Sequence, residues 1–269
     1  MAKRRPARPP NARSAGRGAK NGGTSKGPRA DTPVGDSGEL RIIGGRYRGT
    51  RLTSEPFVHA TGPGTGELIT RPMKHRVREA IFNLVGMEAE GTHAVDLFAG
   101  TGALGLEALS RGAAAATFIE RHVPTAGVVR TNLDAVGVAD RCELLVTSAF
   151  VWRQRDLVGG WPTGSTVNAL HRGEQFPPPA ERPWLVFVSP PYAFFVERAE
   201  EMLALVSEVT DAAPEGSLIV VEADERFDFT RLEGGVRPDR HSAGWDVRGY
   251  PPAVVGVWRK ARSTGESAP

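Results

Sequence analysis

The segment Ser189–Tyr192 follows the apolar run Leu185–Val188, and its residue types suit one particular chemistry. The run predicts a buried strand, which the two prolines end because proline lacks an amide donor and fixes its own φ. At such a strand end the Ser189 hydroxyl and the Pro190 carbonyl can accept the two hydrogens of a planar amine, while Tyr192 stacks on the ring that carries it. This arrangement suits methylation of a nucleobase amine. A simple turn that ends a strand is the alternative interpretation.

A glycine-rich turn lies upstream, within Ala94–Leu109. A short apolar strand runs into Gly100, Gly102 and Gly105, and a helical pattern follows. Glycine lets the backbone approach a ligand closely, and the N-terminus of the next helix offers unpaired N–H groups. The turn therefore predicts a cofactor site at the carboxyl end of the strand.

The same glycines satisfy the G-x-G-x-x-G pattern, and Glu120 lies twenty residues after Gly100, where an acid would bind ribose hydroxyls. An NAD-dependent oxidoreductase is thus one alternative. Asp96 favours another ligand, because a carboxylate repels a pyrophosphate but attracts an ammonium and a sulfonium. S-adenosylmethionine carries both groups. The ordinary alternatives are a loop-bracing acid for Asp96 and a strand-end charge for Glu120.

Several stretches together resemble the RsmD family of bacterial small-subunit (16S) rRNA guanine-N2 methyltransferases, over about residues 39–260. They are Arg41–Gly49, Thr70–Pro72, Arg76–Asn83, Asp96–Gly112 and Ser189–Tyr192. The resemblance implies a Rossmann-like, seven-stranded methyltransferase fold with a mainly parallel sheet. It also implies S-adenosylmethionine as the methyl donor and a guanine exocyclic amine of 16S rRNA as the acceptor.

Site residues follow from the motifs and from the resemblance together. The expected catalytic residues are Ser189, Pro190, Pro191 and Tyr192. The expected cofactor-binding residues are Asp96, Phe98, Ala99, Gly100, Thr101, Gly102, Gly105, Glu120, Arg121, Ser148 and Ala149. The expected RNA-binding residues are Arg46, Arg48, Arg71, Lys74, Arg76 and Arg78.

Three positions depart from the family pattern. Ser189 stands where the family usually has Asp or Asn, which affects the expected rate more than the type of reaction. Ser148 stands where an Asp or Asn commonly reads the adenine amine, so weaker cofactor binding is expected. His75 replaces an acid and makes that surface more basic.

Composition favours a soluble cytoplasmic enzyme, which we expect to be a monomer. The chain has 269 residues, 40% of them hydrophobic, which is enough for one α/β core with extensions. The single cysteine, Cys142, excludes an internal disulfide. No apolar run reaches the roughly 18 residues of a membrane span. The six histidines show no metal-ligand spacing with Cys142 or with one another, so no metal is expected.

Charge divides the chain unevenly. Residues 1–38 hold nine of the 34 Lys and Arg but two of the 31 acids, which leaves 25 basic against 29 acidic residues in the rest. This basic tail lacks large apolar residues, is expected to be disordered, and could neutralise RNA phosphates. The expected division is then an RNA-facing extension over 39–91, a methyltransferase domain over 92–262 with an insertion at 158–183, and a flexible end at 263–269.

Strand and helix patterns alternate along the methyltransferase domain, which predicts a mainly parallel sheet with its ligand crevice at the carboxyl ends of the strands. The predicted helices are Met73–Val85 and Arg198–Val209. The predicted strands after the glycine turn are Ala116–Ile119, Glu143–Val146, Leu185–Val188, Leu218–Glu222 and Val254–Trp258.

The leading hypothesis is methylation of 16S rRNA within an assembling small ribosomal subunit. Methylation of another RNA or of DNA adenine would use the same motifs, although 77 residues after Tyr192 leave no evident domain for reading DNA. An RNA-binding protein without enzymatic activity would need no cofactor.

Overall fold

The structure is a computed structural model, and it describes residues 39–54, 75–158, 169–176, 180, 182–239 and 241–262. The predicted tail at 1–38 and the C-terminal segment at 263–269 lie outside the described residues. So do Arg71 and Lys74, two of the residues expected to bind RNA.

Within the described ranges, eight strands form one sheet in the order β4-β3-β2-β1-β5-β6-β8-β7. The strands are β1 (His93–Asp96), β2 (Ala115–Ile119), β3 (Cys142–Leu145), β4 (Ala169–Arg172), β5 (Trp184–Val188), β6 (Leu218–Asp224), β7 (Asp246–Tyr250) and β8 (Ala253–Arg259). The five strands from β3 to β6 in this order pair in parallel. Strands β4, β7 and β8 pair antiparallel. The predicted α/β fold with a mainly parallel sheet is confirmed, but the sheet has eight strands where the family resemblance implied seven, because β4 adds an edge strand beside β3.

Six α-helices lie within the described residues. They are α1 (His75–Val85), α2 (Ala103–Ser110), α3 (Val123–Val136), α4 (Ala149–Trp152), α5 (Phe194–Glu197) and α6 (Ala199–Ala212). A π-helical turn, Arg153–Leu157, continues α4, and short 3₁₀ turns lie at Gly86–Ala89, Ala139–Arg141 and Phe229–Arg231. Pro124 lies in the first turn of α3, and Gly137 ends that helix with a φ of 74°, a left-handed value that glycine adopts without strain.

Both faces of the sheet are covered, as strand β5 shows. All five of its residues are buried, and they alternate between two cores. Leu185 and Phe187 pack with α1, α2 and α3, whereas Val186 and Val188 pack with α4 and α6. A parallel strand covered on both faces needs an unbroken apolar run, which is why this segment was recognisable as a strand.

The order of strands creates a switch point between β1 and β5. The chain moves from β1 outward to β2 and β3, and it returns to the other side of β1 as β5. Asp96, the last residue of β1, is in register with Phe187 of β5. In open α/β sheets ligands bind at the carboxyl ends of the strands at such a point.

Strand β4 was not predicted, and it lies inside the expected insertion at 158–183. It pairs antiparallel with β3, and three of its four residues are exposed, so it lacks the apolar signature of a core strand. Strand β7 was also missed, because Asp246 and Gly249 are poor strand formers. It forms because β8 pairs with it directly.

The segment 39–54 is called here the N-terminal turn. A single bridge between Arg41 and Arg51 closes it, and the side chains of Ile42 and Leu52 are buried beneath it.

None of the helices in the described ranges is both long and apolar enough to cross a membrane.

Candidate active site

Five polar side chains come from five adjacent strands at one edge of the sheet. Asp96 ends β1, and Glu120 and Ser189 directly follow β2 and β5. Ser148 follows β3, and Glu222 lies near the end of β6. Because these strands run parallel, all five positions fall at the carboxyl edge, where the sequence predicted a ligand crevice.

The glycine turn between β1 and α2 is built around two left-handed residues. Gly100 has a φ of 54° and Gly102, which caps α2, has a φ of 79°. The Gly100 amide donates to Glu120 Oε2 at 3.0 Å, and the other oxygen of Glu120 accepts from the His122 amide at 2.8 Å. The carboxylate therefore ties the glycine turn to the end of β2. Arg121, between Glu120 and His122, is exposed.

Gly105 serves packing within this motif. A Cβ at this position would lie 2.4 Å from the ring of Phe118 on β2, so only glycine lets α2 approach the sheet this closely. Its amide donates to Asp96 Oδ2 at 3.2 Å. The residue is buried, as are Ala99 and Thr101, so Gly105 acts on the expected cofactor site through Asp96.

Asp96 is 1% exposed, and its second oxygen, Oδ1, is buried with no hydrogen-bond partner among the described residues. Burial raises the pKa of this carboxyl to about 7, and the Gly105 amide acts in the opposite direction. A buried acceptor without a partner calls for a donor. The Asp96 carboxylate therefore fits a ligand that brings an ammonium group.

Ser148 uses its hydroxyl within the chain. It is the N-cap of α4, and its Oγ accepts from the Val151 amide at 3.1 Å. Ala149, the neighbouring expected cofactor residue, is buried. An Asp or Asn at position 148 has a longer side chain, which could extend further toward the adenine amine of the cofactor. Ser148 is accommodated here because its hydroxyl caps α4.

Three phenylalanines form a cluster near the glycine turn that the sequence did not reveal. Phe98 lies in the turn, Phe150 in α4 and Phe194 in α5, with ring centroids 6.1–6.2 Å apart. The guanidinium carbon of Arg198 lies 3.7 Å from the Phe150 ring centroid. Phe98 was expected near the cofactor, but Phe150, Phe194 and Arg198 come from segments with no shared sequence signal.

The Ser189–Tyr192 turn is held by a carboxylate that the sequence did not single out. Ser189 Oγ donates to Glu222 Oε2 at 2.5 Å, and the Tyr192 hydroxyl donates to Glu222 Oε1 at 2.7 Å. Burial raises the pKa of Glu222, while the two hydroxyls act to lower it. Burial and the Glu222 charge also raise the pKa of Tyr192, so its hydroxyl stays protonated. The sequence feature that could have identified Glu222 is its position as an acid inside the apolar run of β6, near the carboxyl end of that strand.

The two prolines of this turn differ in their carbonyl groups. The Pro191 carbonyl accepts from the Phe194 amide at 2.9 Å, which starts α5. No backbone amide of the described residues donates to the Pro190 carbonyl. The Pro190 carbonyl is thus the one that remains available to a ligand.

Of the expected RNA-binding residues that the structure describes, three are exposed and one is buried. Arg46 and Arg48 are exposed in the N-terminal turn, and Arg76 is exposed in α1. The prediction that Arg78 lies on the same surface is wrong. Arg78 is 1% exposed and donates to the Arg41 carbonyl at 2.6 Å, because the N-terminal turn covers that face of α1. Burial lowers the pKa of its guanidinium.

A second unpredicted carboxylate anchors the N-terminal turn. Glu107 of α2 is fully buried and accepts from the amides of Ile43 and Gly44, both at 2.8 Å, and from Arg111 Nε at 2.9 Å. Arg46 and Arg48 are therefore carried by a segment that is hydrogen-bonded to α2, the helix that begins at the glycine turn.

Within the described residues, no group of three His, Cys, Asp or Glu side chains is placed to hold a metal ion.

Comparison with known proteins places the chain in a family. Residues 40–157 match the family described as conserved hypothetical protein 95. The ribosomal RNA small subunit methyltransferase D of Haemophilus influenzae is 30% identical over 190 residues, which are 70% of this chain and 80% of that protein. The protein of the same name from Escherichia coli K12 is 48% identical over 84 residues. That match spans 31% of this chain and 37% of the relative's length.

A solved structure supports the same relationship over a longer stretch. The putative methyltransferase yhhF from Escherichia coli superposes with a TM-score of 0.54 at 26% identity, covering 83% of this chain and 99% of that one. The fold, the glycine turn at its switch point and the similarity to the Haemophilus protein all indicate the same family. The chain belongs to the ribosomal RNA small subunit methyltransferase D family.

Proposed function

We propose that this protein uses S-adenosylmethionine to methylate the exocyclic N2 amine of a guanine in 16S rRNA. The observation that carries the proposal is the pairing of β1 with β5, which brings the ends of these two strands together at the switch point. Asp96 then stands beside the turn that contains Ser189. A cationic donor and a planar acceptor amine can meet between them.

The residues around the glycine turn fit the donor. The unpaired Oδ1 of Asp96 suits an ammonium group, and the turn lets backbone approach the ligand closely. Glu120 has lone pairs left for ribose hydroxyls after accepting from two amides. Phe98, Ala99, Thr101, Arg121, Ser148 and Ala149 remain expected neighbours of the same ligand. When bound, S-adenosylmethionine supplies an electrophilic methyl group on a sulfonium.

The Ser189–Tyr192 turn would bind the acceptor. The lone pair of an aromatic amine is delocalised into its ring, so the protein's task is to orient the amine. Ser189 Oγ and the free Pro190 carbonyl accept its two hydrogens, which turns the nitrogen lone pair toward the methyl donor. Correct positioning of two reactants can lower a barrier by roughly 7 to 11 kcal/mol. The half-buried ring of Tyr192 would stack on the base, a contact worth about 1 to 3 kcal/mol.

The N-terminal extension, residues 39–91, would contact RNA phosphates. Arg46, Arg48 and Arg76 are exposed, and their positive charges would release counterions on binding. The name of the family, ribosomal RNA small subunit methyltransferase D, supports 16S rRNA as the substrate class. We further propose that the protein acts as a cytoplasmic monomer on an assembling small subunit, with the basic tail at 1–38 adding phosphate contacts.

The test is methylation of small-subunit rRNA taken from a bacterial strain that lacks its own enzyme of this family. The purified protein is incubated with isotopically labelled S-adenosylmethionine and either naked 16S rRNA or assembled subunits. Nucleosides are then identified by mass spectrometry. We expect label in N2-methylguanosine. Label in N6-methyladenosine, or no transfer to either substrate, would contradict the proposal. Thermal stabilisation by NAD and not by S-adenosylmethionine would support the oxidoreductase alternative.

A further inference from the structure

Glu222 of β6 is hydrogen-bonded to both polar side chains of the Ser189–Tyr192 turn. It is 5% exposed. Val188 of β5 pairs with Val221 of β6, so Ser189 and Glu222, the next residue on each chain segment, lie side by side. One carboxylate oxygen accepts from Ser189 and the other accepts from Tyr192, at 2.5 and 2.7 Å. Each oxygen therefore has a separate hydroxyl partner.

The chemistry of these groups determines which way each hydroxyl proton points. An ionised carboxylate only accepts hydrogen bonds, whereas a hydroxyl has one donor and two acceptor lone pairs. Bonded to Glu222, Ser189 directs its proton into the protein and keeps its lone pairs for a ligand. A serine without this partner could rotate and present its proton to the target amine, which needs an acceptor.

We infer that Glu222 is a positioning residue for methyl transfer, which makes Ser189 Oγ an acceptor for the target amine and fixes the ring of Tyr192 through its hydroxyl. The inference rests on the proposed function. It also explains how Ser can stand where Asp or Asn usually does in this family, because those side chains carry an acceptor oxygen of their own. Here the serine and the carboxylate behind it supply the acceptor together.

The alternative is that Glu222 only braces the turn, and Glu222→Gln separates the two roles. The glutamine amide keeps the size of the side chain and can still bond both hydroxyls. Its NH₂ group, however, can only donate, so one hydroxyl must accept from it and release its own proton toward the site. A bracing role tolerates this exchange at either hydroxyl, whereas an orienting role loses the Ser189 acceptor when the NH₂ group faces Ser189.

The experiment measures single-turnover methylation of 16S rRNA by the full-length protein with saturating S-adenosylmethionine. We expect Glu222→Gln to slow methyl transfer about 10-fold to 100-fold, the range for one misdirected hydrogen bond, with RNA KM and cofactor affinity within about twofold of the wild type. Asp224→Asn, the same chemical change two residues along β6 at a carboxylate that pairs with Arg226, is the matched control. It should transfer at the wild-type rate, and thermal unfolding checks that each variant is folded.

Two backgrounds at position 189 decide between orienting and bracing. In Ser189→Asn the acceptor is an amide oxygen, so Glu222→Gln should cost only a few-fold there. In Ser189→Ala no acceptor remains at position 189 for Glu222 to orient, so Glu222→Gln should add little further slowing. Equal slowing by Glu222→Gln in all three backgrounds, or a wild-type rate for the single variant, overturns the inference. Absence of any transfer to guanine by the wild-type protein would instead reject the proposed function itself.

Discussion

The side-chain amide of Asn132 donates a hydrogen bond to the carbonyl oxygen of Thr101 at 2.8 Å. The same fully buried side chain accepts from the Thr53 amide at 2.8 Å and donates to the Thr53 carbonyl at 3.0 Å. Thr53 lies near the end of the N-terminal turn, and Thr101 lies in the glycine turn. One amide therefore links the segment proposed to face RNA with the segment proposed to hold the cofactor.

Replacing Asn132 with Ala should lower the free energy of unfolding by about 2 to 4 kcal/mol, because three hydrogen bonds of a fully buried side chain are lost and their backbone partners stay behind. Urea denaturation measures this difference. The neighbouring exposed variant Thr131→Ala, which loses one bond to the Gly127 carbonyl, should change stability by less than about 1 kcal/mol. Equal losses for the two variants would mean that the Asn132 bridge contributes nothing special.

The buried carboxyl of Asp96 predicts a pH dependence of stability with a definite sign. Its pKa is about 7 in the folded protein against an ordinary value of 3.8. Between these values the folded state holds the proton and the unfolded state does not, so stability falls as pH rises from about 4 through about 7. Comparing urea unfolding at pH 5.0 and 7.5, Asp96→Asn should show a smaller loss than the wild type. An identical loss would indicate that Asp96 does not titrate in this range.

Cofactor binding should follow the opposite trend. An ammonium group favours the ionised form of Asp96, so S-adenosylmethionine should bind more tightly as pH rises toward 7.5, with release of a proton. Calorimetry in buffers of different ionisation enthalpy measures that release. Asp96→Asn should weaken binding and abolish its pH dependence. An affinity that does not vary with pH in the wild-type protein would place the ammonium group elsewhere.

Gly105→Ala should destabilise the protein by about 1 to 3 kcal/mol, because the new methyl group would overlap the Phe118 ring. The matched control is Gly127→Ala in α3, where a Cβ would meet nothing within 4 Å. That variant should be more stable than the wild type by roughly 0.5 to 1 kcal/mol, since alanine is the better helix former. Thermal and urea unfolding should thus give shifts of opposite sign.

The exposed arginines of the N-terminal turn should contribute to the salt dependence of RNA binding. Removing Arg46 and Arg48 together should weaken binding and reduce the slope of log K against log salt by about 2. Arg78→Ala should instead lower the stability of the protein, because Arg78 is buried against the Arg41 carbonyl. Filter binding over a range of salt concentrations tests the first statement, and an unchanged slope would exclude these two residues from phosphate contact.

The sequence by itself determined the strands of the central sheet and the edge at which its ligand site lies. β1, β2, β3, β5 and β6 were recognisable because each is a short apolar run buried on both faces, and the glycine turn and the Ser-Pro-Pro-Tyr turn are contiguous segments. Parallel pairing then follows from the alternation of strands and helices. These features depend on residues close together in the chain.

Tertiary structure alone decided which side chains complete the site. Glu222 reaches Ser189 across 33 residues, Glu107 reaches Ile43 across 64, and Asn132 reaches Thr53 across 79. The same is true of Arg78. Its charge predicted an exposed side chain, but in the folded protein the N-terminal turn covers it. Burial and hydrogen bonding between distant segments depend on how the strands are ordered in the sheet, and no local pattern of residues encodes that order.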